Sequence, residues 1–184
     1  NTRYLVMAMN GDECFDYDAG FRGKGQFWFG FMPGYDGGSA GEHDGGDGND
    51  AAEPLSTPVI YNATYIGSGA MGGNADNEFH INMRDNAGGT YRRSVFMDFW
   101  GSGLQIEDLT GEAAGAADSR ERIEVGDIEF TSNWWHLGGI GNAAADIIPQ
   151  EWVRTIVEPD NYFADPKLLA YADGMPATVE ESNA

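Results

Sequence analysis

Short strand-like runs recur along the chain, and many of them alternate apolar with polar residues. They occupy positions 4–9, 26–32, 58–66, 78–83, 91–99, 103–109 and 127–135. Most are followed closely by Gly, Asn or Asp, and this alternation is typical of strands that bury one face. The high content of glycine and aromatic residues agrees with strands joined by turns. The pattern therefore predicts an all-β protein.

The connections between these runs indicate how the strands are arranged. They are wider corners rich in Gly, Asn and Asp, unlike the two-residue turns of antiparallel hairpins. Comparable strands begin near Tyr4, Gln26, Val59, Tyr91 and Ile128, at a loose and unequal spacing. Such spacing is expected of a solenoid whose coils each hold two or three short strands. A jelly roll or another sandwich is the alternative, because it is also built from short strands.

Two segments interrupt the strand pattern. Residues 33–58 form a long acidic, Gly-rich stretch without a packing pattern, which predicts a surface loop. Apolar residues repeat at helical spacing near the C-terminus, which predicts one short helix over 149–157 with Pro149 in its first turn. We therefore expect β-helix coils over residues 1–140, including the loop at 33–58. Residues 141–184 should supply the helix and an irregular tail that pack on these coils.

The charge and cysteine content narrow the function classes. Thirty acidic and 10 basic residues give the 184-residue chain a formal charge of −20, so nucleic acids and anionic membranes are expected to be repelled. The acid favours either solubility or cation binding. Cys14 is the single cysteine, which excludes an intrachain disulfide. No apolar run is long enough for a membrane span, and the start at Asn1 suggests a processed or partial chain.

Two segments carry a resemblance to a known family. Residues 11–29 contain Gly-Asp-Glu-Cys-Phe-Asp-Tyr-Asp-Ala-Gly-Phe-Arg-Gly, and residues 56–67 read Ser-Thr-Pro-Val-Ile-Tyr-Asn-Ala-Thr-Tyr-Ile-Gly. This pattern, over most of residues 2–109, resembles uncharacterised members of the secreted bacterial pectate-lyase-like superfamily. The resemblance implies a right-handed parallel β-helix and an extracellular or cell-surface location. Glu13 stands where such proteins often have Asp, and no constellation of an active pectate lyase or polygalacturonase carries over.

The densest group of carboxylates lies near the first predicted coil. In an extended segment Asp16 and Asp18 point to one face and Tyr17 to the other. Close carboxylates hold Ca²⁺, act as an acid and base pair, or are simply solvated. Candidate catalytic residues are Asp16, Asp18 and Arg22, although Arg22 also suits a salt bridge to these acids. Candidate calcium ligands are Asp12, Glu13, Asp16, Asp18, Glu42, Asp44, Asp47 and Asp50.

Histidine and arginine residues offer weaker signals. His43 lies among acidic residues, so its pKa is expected to be raised. His80 reads as a partly exposed strand histidine. Arg92 and Arg93 could bind a carboxylate or a uronic acid, although acidic groups of the protein itself are the nearer partners.

The tryptophans allow two interpretations. An exposed row would stack on sugar rings, whereas buried side chains would serve the core or the packing of the helix. The residues concerned are Trp100, Trp134, Trp135 and Trp152.

Two functions are consistent with these observations. The first is a non-catalytic extracellular β-helix module for cell-surface structure, adhesion, assembly or glycan binding. Its partners would be a glycan or other subunits, with end-to-end self-association through the open ends of the β-helix. The alternative is a Ca²⁺-assisted polysaccharide lyase or glycosidase that acts on acidic glycan. The missing catalytic constellation favours the non-catalytic function.

Overall fold

The chain winds into successive coils of short strands. A computed structural model describes residues 1–32, 37–46, 49–69, 75–109, 118–168, 171–172 and 175–176. Coil 1 holds β1 (Thr2–Arg3), β2 (Val6–Ala8) and β3 (Phe15–Tyr17); coil 2 holds β4 (Lys24–Gln26), β5 (Phe29–Phe31) and β6 (Gly41–His43); coil 3 holds β7 (Val59–Tyr61), β8 (Thr64–Ile66) and β9 (Phe79–Met83); coil 4 holds β10 (Gly89–Arg92), β11 (Val95–Phe99) and β12 (Ser102–Ile106).

The C-terminal part adds a further coil and short helices. Helix α1 (Ser119–Glu124) precedes coil 5, which holds β13 (Ile128–Thr131) and β14 (Trp134–Gly138). Helices α2 (Ala144–Ile147) and α3 (Glu151–Val157) lead to β15 (Tyr162–Phe163), and β16 (Tyr171–Ala172) pairs antiparallel with β17 (Met175–Pro176). Helix α3 matches the predicted helix, but the prediction of a single helix missed α1 and α2. The described residues contain no helix long and apolar enough to cross a membrane.

Equivalent strands of successive coils pair in parallel to form three sheets. Sheet A has the order β1-β4-β7-β10-β13, sheet B has β15-β14-β11-β8-β5-β2, and sheet C has β12-β9-β6-β3. The five strand starts predicted from the sequence lie in or next to the strands of sheet A. These parallel ladders confirm the predicted all-β parallel β-helix, and the sandwich alternative is wrong because the pairing within these sheets is parallel throughout.

The interior of the coils is filled by side chains in strand register. In sheet B, Tyr65, Phe96 and Trp135 occupy equivalent inward positions of coils 3, 4 and 5 and are fully buried. The rings of Phe96 and Trp135 lie 4.4 Å apart, and Phe15 stacks on Tyr65 at 5.0 Å. Burying each large apolar side chain contributes roughly 1.5–3 kcal/mol. The aromatic content of the sequence is therefore concentrated in the core.

A single residue turns the chain from sheet A to sheet B in every coil. Its backbone has positive φ, between 54° and 59°, a conformation that non-glycine residues adopt rarely. The corner residues are Tyr4, Phe27, Asn62, Arg93 and Ser132. The residue after each corner is buried or half-buried, and in coils 4 and 5 its side chain bonds the preceding coil.

A ladder of side-chain hydrogen bonds runs along the inside of this corner. The Ala63 amide donates to Ser94 Oγ at 3.0 Å, the Ser94 amide to Asn133 Oδ1 at 2.9 Å, and the Asn133 amide to Asn161 Oδ1 at 3.0 Å. Each side chain thus satisfies a buried amide of the preceding coil, which strand pairing leaves free at the bend. These side-chain hydrogen bonds hold neighbouring coils at a constant distance along this corner.

The segment 33–58, predicted as a surface loop, contributes a strand to the β-helix. Strand β6 pairs with β3 and β9, and His43 is fully buried. A Cβ at Gly41 would lie 2.7 Å from the His43 ring, so the glycine provides room for the imidazole. The loop prediction was wrong for residues 41–43, because pairing with β3 and β9 makes a strand of a segment with little strand propensity of its own.

The C-terminal helices pack on the last coils. Ile147, Ile148, Val153 and Val157 are buried in the main core. The Gln150 side chain accepts from the Ile106 amide at 2.9 Å and donates to the Ile106 carbonyl at 2.6 Å. These two bonds imitate a strand neighbour and cover the edge of β12, the last strand of sheet C.

Candidate functional site

The outward positions of sheet C form a polar ladder across four coils. Asp16, Glu42, Asn82 and Gln105 are register partners on β3, β6, β9 and β12. Neighbouring strands of a sheet lie about 4.8 Å apart, so the four side chains follow the axis of the β-helix in a line. On each strand, the residues before and after this polar side chain point into the core, because side chains alternate along a strand.

A second polar ladder lies two residues further along each coil. The amides of Asp44, Arg84 and Glu107 donate to the carbonyls of Tyr17, His43 and Met83 in the preceding coils, each at 2.9 Å. This pattern continues the parallel register past the strand ends. It places Asp18, Asp44, Arg84 and Glu107 beside the first ladder. We call the outward side chains of both ladders the acidic face.

Arg84 is the cation at the centre of the acidic face. Its Nε lies 2.8 Å from Asp44 Oδ1, its Nη2 bonds Glu42, and Asp85 lies 3.6 Å away. The hydrogen bond to Asp44 and the surrounding carboxylates hold the pKa of Arg84 above its usual range. One guanidinium faces several carboxylates here, so the acidic face keeps a net negative charge.

The excess of negative charge on the acidic face affects the pKa values of the carboxylates in coils 1 and 2. Partial burial raises the pKa of Asp16, and the negative charges of Asp44, Asp18 and Asp12 raise it further. Partial burial also raises the pKa of Glu42, against the opposing effect of Arg84. Such carboxylates gain from protonation or from a bound cation.

Among the carboxylates in and beside the acidic face, Glu13 is the one whose pKa is raised furthest. Burial, followed by a hydrogen bond with Asp12, raises its pKa to about 7. Glu13 precedes the buried Cys14 and lies against the tightly packed Gly38. It is therefore set into the edge of the acidic face.

The structure brings most of the predicted calcium ligands into one region. Asp16 and Asp18 point outward and Tyr17 inward, as predicted, with Glu42 and Asp44 in the next coil. The main-chain carbonyl of Asp50 accepts from Asn86 at the adjoining turn, whereas Asp47 lies outside the described residues. Within the described ranges, no group of three or more His, Cys, Asp or Glu side chains is arranged to hold a metal ion. Calcium binding therefore stays a prediction.

The catalytic candidates are only partly brought together. Arg22 donates to the Leu55 carbonyl at 3.0 Å and pairs with Glu53 at 3.7 Å. The ion pair that the structure gives it is thus with Glu53 rather than with the Asp16 and Asp18 group. Asp16 and Asp18 themselves share the acidic face.

The interior behind the acidic face contains a polar network. His43 Nε2 lies 2.8 Å from the Tyr91 hydroxyl, and His43 Nδ1 lies 2.7 Å from the Glu42 carbonyl. Tyr17 stacks on the imidazole at 3.8 Å. Burial lowers the pKa of His43 to about 3, so the predicted rise of its pKa was wrong. The sequence signal was the alternation in Gly41-Glu42-His43, which puts Glu42 outside and His43 inside.

His80 is also buried, contrary to the prediction of a partly exposed side chain. Its Nε2 lies 3.3 Å from the Tyr65 carbonyl, and its ring stacks on Phe99 at 5.1 Å. Burial lowers its pKa to about 4. Both histidines are therefore neutral core residues at pH 7.

The four tryptophans considered as a sugar-stacking row, of the five in the chain, do not form an exposed row. Trp135 is fully buried, Trp134 stacks on Tyr162 at 4.8 Å, and Arg120 lies 4.8 Å from the ring of Trp152. Trp100 is half-buried at the edge of the fold. These contacts support the packing roles over a sugar-stacking platform.

Arg92 is paired within the protein. Its guanidinium donates to Glu129 at 2.6 Å and to the Tyr61 hydroxyl at 3.2 Å. These contacts lie on the outward side of sheet A, away from the acidic face. The expectation that its nearest negative partner belongs to the protein is confirmed.

Comparison with known proteins agrees with the architecture. The family model of the pectate-lyase-like β-helix domain matches residues 1–146. No curated protein and no solved structure matches the chain. The matched residues include every strand of coils 1 to 5 and therefore the whole acidic face. The chain belongs to the pectate-lyase-like β-helix domain family.

Proposed function

We propose that this chain is a non-catalytic glycan-binding module and that the acidic face is its binding face. The observation that carries the proposal is the pair of polar ladders along four coils of sheet C. Ionised carboxylates accept hydrogen bonds from hydroxyl groups, while the amides of Asn82 and Gln105 both donate and accept. A linear ligand with many hydroxyl groups suits such a row of acceptors and donors.

Cations are part of this proposal. The acidic face holds more carboxylates than Arg84 neutralises, and Ca²⁺ prefers oxygen ligands of this kind. A calcium ion shared between Asp16, Asp18 and a saccharide would draw part of its ligands from the sugar. An acidic glycan would need such bridging, whereas a neutral glycan would not.

The proposed setting is extracellular, at a bacterial cell surface. An acidic protein with a long polar face suits contact with polysaccharides outside the cell. In this setting the β-helix would act as a rigid support that holds the ladders in line. Adhesion and surface structure would follow from the same glycan contacts.

A glycan array followed by calorimetry tests the proposal. The wild-type protein should bind a defined set of glycans, and Asn82→Ala should weaken this binding by about tenfold through loss of a hydrogen-bonding side chain. Gln26→Ala, on sheet A, is the matched control and should bind as well as the wild type. Equal affinities for both variants would exclude the acidic face as the binding face.

One observation favours catalysis as the second candidate. Asp16 and Glu42 are neighbours across β3 and β6, and both have raised pKa values. Such pairs act as acid and base in glycosidases, and a bound Ca²⁺ would allow a lyase to act on acidic glycan. Turnover of an array-identified glycan that disappears in Asp16→Asn would support this function. Binding without turnover would leave the non-catalytic module.

The first coil supports a proposal about assembly. Strands β1, β2 and β3 each pair on one side only within the described part of the chain. A cavity of about 410 Å³ opens there onto core residues such as Leu5, Phe15 and Trp28. Open strand edges with exposed core are suited to stacking, so we propose end-to-end association with a second copy. Sedimentation that stays monomeric at high concentration would contradict it.

A further inference from the structure

The outward side of sheet A has the opposite charge to the acidic face. Arg3, Lys24 and Arg92 point outward on β1, β4 and β10, and Arg93 occupies the adjoining corner. Glu129 is the acidic residue in these outward rows. We call Arg3, Lys24, Arg92 and Arg93 the cationic face. It gathers four of the 10 basic residues of a chain with 30 acidic ones.

Within the part of the chain that the structure describes, most of these cations have no carboxylate partner. Among the described residues, Arg3, Lys24 and Arg93 take part in no ion pair, and all three side chains are exposed. Arg92 alone is paired, with Glu129. In a chain so rich in acid, cations that avoid the protein's own carboxylates are available to an external anionic group.

The cationic face also has a shaped surface. A groove of about 830 Å³ lies along β1, β4 and β7. Arg3 and Lys24 line it together with Gln26 and Tyr61. This groove covers coils 1 to 3, and Asp16 and Glu42 of the acidic face belong to coils 1 and 2.

We propose that two copies associate side by side, with the cationic face of one copy against the acidic face of the other. If the β-helix axes are parallel and the first coils are level, Arg3 and Lys24 of one copy meet Asp16 and Glu42 of its neighbour. Arg3 and Lys24 lie on adjacent coils, offset by two residues in register. Asp16 and Glu42 lie directly opposite each other on adjacent coils. Each pair is therefore separated by one strand spacing, about 4.8 Å, along the axis. Charge complementarity therefore determines both the partner and the alignment.

This contact joins two different faces of the same chain, so each copy keeps one free face. Contacts of this type produce rings or open arrays instead of closed two-fold dimers. The strands of sheet A are short, which limits the buried area and makes the association weak. Net repulsion between acidic molecules is screened beyond about 8 Å at physiological ionic strength, so close ion pairs can still form.

Sedimentation velocity at fixed ionic strength tests the proposal with charge reversals. The wild-type sedimentation coefficient should rise with protein concentration. Arg3→Glu with Lys24→Glu should reduce the rise, and so should Asp16→Lys with Asp18→Lys, down to whatever end-to-end association contributes by itself. An equimolar mixture of the two double variants should restore the full rise, because each reversed face then meets a complementary one.

The double variant on the acidic face distinguishes loss of the proposed contact from a change in the general repulsion between copies. Its net charge is less negative than that of the wild type, so repulsion alone predicts stronger association, whereas the proposed contact predicts loss. Glu158→Lys with Asp160→Lys makes the same change of charge on an exposed C-terminal turn and should associate at least as well as the wild type. A concentration-independent wild type, or a mixture that stays dissociated, would overturn the proposal.

Glycan binding provides an independent readout, because this inference uses the acidic face that the proposed function also uses. Arg3→Glu with Lys24→Glu leaves the acidic face intact and should bind glycan like the wild type. Weakened association with retained glycan binding supports both proposals. Association in this variant that is as strong as in the wild type removes the cationic face from the contact, whatever the glycan result.

Discussion

At the scale of single residues, buried polar side chains distinguish this core from a purely apolar one. His43 is held between the Tyr91 hydroxyl and its own strand, with Tyr17 stacked on the ring. The Nδ1 proton suits the Glu42 carbonyl, which leaves Nε2 to accept from Tyr91. A neutral imidazole satisfies both bonds, whereas a second proton would replace the acceptor that Tyr91 uses.

This arrangement predicts a pH dependence of stability. The pKa of His43 is about 3 in the folded protein, below the ordinary value near 6.5. The unfolded chain therefore takes up the proton first, and the contribution of His43 is lost as pH falls from about 6.5 toward 3. His43→Phe should destabilise the protein at pH 7. The difference from the wild type should shrink with decreasing pH, by at most about 1.4 kcal/mol per unit.

Urea unfolding at several pH values between 7 and 4 measures this difference. Comparing wild type with variant cancels the titration of the many carboxylates, which act in both proteins. A difference in unfolding free energy that is constant across the range would show that His43 has the same pKa in the folded and unfolded states, and therefore that its side chain is not buried.

The histidines also show why the sequence was insufficient at this scale. Residue type alone marks His43 and His80 as polar, and their burial depends on partners from other coils, Tyr91 and Tyr65. Those contacts become visible only when the coils are aligned. In contrast, the alternation around Asp16 and Asp18 depends on one strand alone, and it was predicted correctly.

At the scale of elements, the corner between sheets A and B determines how coils stack. Ser94 and Asn133 lie inside this corner, and the Asn133 side chain bonds the Ser94 amide and the Tyr91 carbonyl. Asn133 is fully buried. The bend in the chain prevents ordinary strand pairing here, so the side chain replaces it.

Asn133→Ala should therefore destabilise the protein by about 1–3 kcal/mol, because it leaves the buried Ser94 amide unpaired. Asn142→Ala, an exposed position whose side chain accepts from Leu137, is a suitable comparison and should cost less. Thermal or urea unfolding measures both. Equal losses for the two variants would mean that water replaces Asn133 without cost.

The elements were predictable to different degrees. The strand starts and helix α3 followed from local periodicity, and the family resemblance supplied the parallel pairing. Strand β6 was missed because Gly41-Glu42-His43 carries little strand propensity. Its position is fixed by β3 and β9 on either side, so tertiary pairing overrides the local signal.

At the scale of the whole molecule, charge is distributed unevenly over the three sheets. The acidic face on sheet C combines raised pKa values at Asp16, Glu42 and Glu107 with a single central guanidinium. These carboxylates have higher pKa values in the folded protein than in the unfolded chain. Their ionisation therefore opposes folding at neutral pH, and this opposition is relieved as pH falls through the folded values.

Calcium should relieve the same repulsion at pH 7. On chelator-treated protein we expect CaCl2 to raise the Tm more than NaCl of equal ionic strength, since a divalent ion contacts several carboxylates at once. Calorimetry should show saturable binding. Asp16→Ala with Asp18→Ala should remove both effects, whereas Glu158→Lys with Asp160→Lys should keep them. An equal rise of the Tm with the two salts would show that calcium acts only by general ionic screening.

The acidic face itself was only partly visible in the sequence. The carboxylates of coils 1 and 2 were identified from their density in the chain. Asn82, Gln105 and Arg84 were not, because they are separated by tens of residues and meet only through strand register. The opposite charge of sheet A was equally hidden, since Arg3 and Lys24 belong to different coils.

The corner residue with positive φ has a consequence for how such a protein can change in length. Each coil passes this corner in the same conformation, at Tyr4, Phe27, Asn62, Arg93 and Ser132. Inserting one residue between corners would exchange inward and outward side chains of a strand. Duplicating the stretch from one corner to the next would instead keep every side chain on its face. A duplication of this kind would lengthen all three faces together by about 4.8 Å.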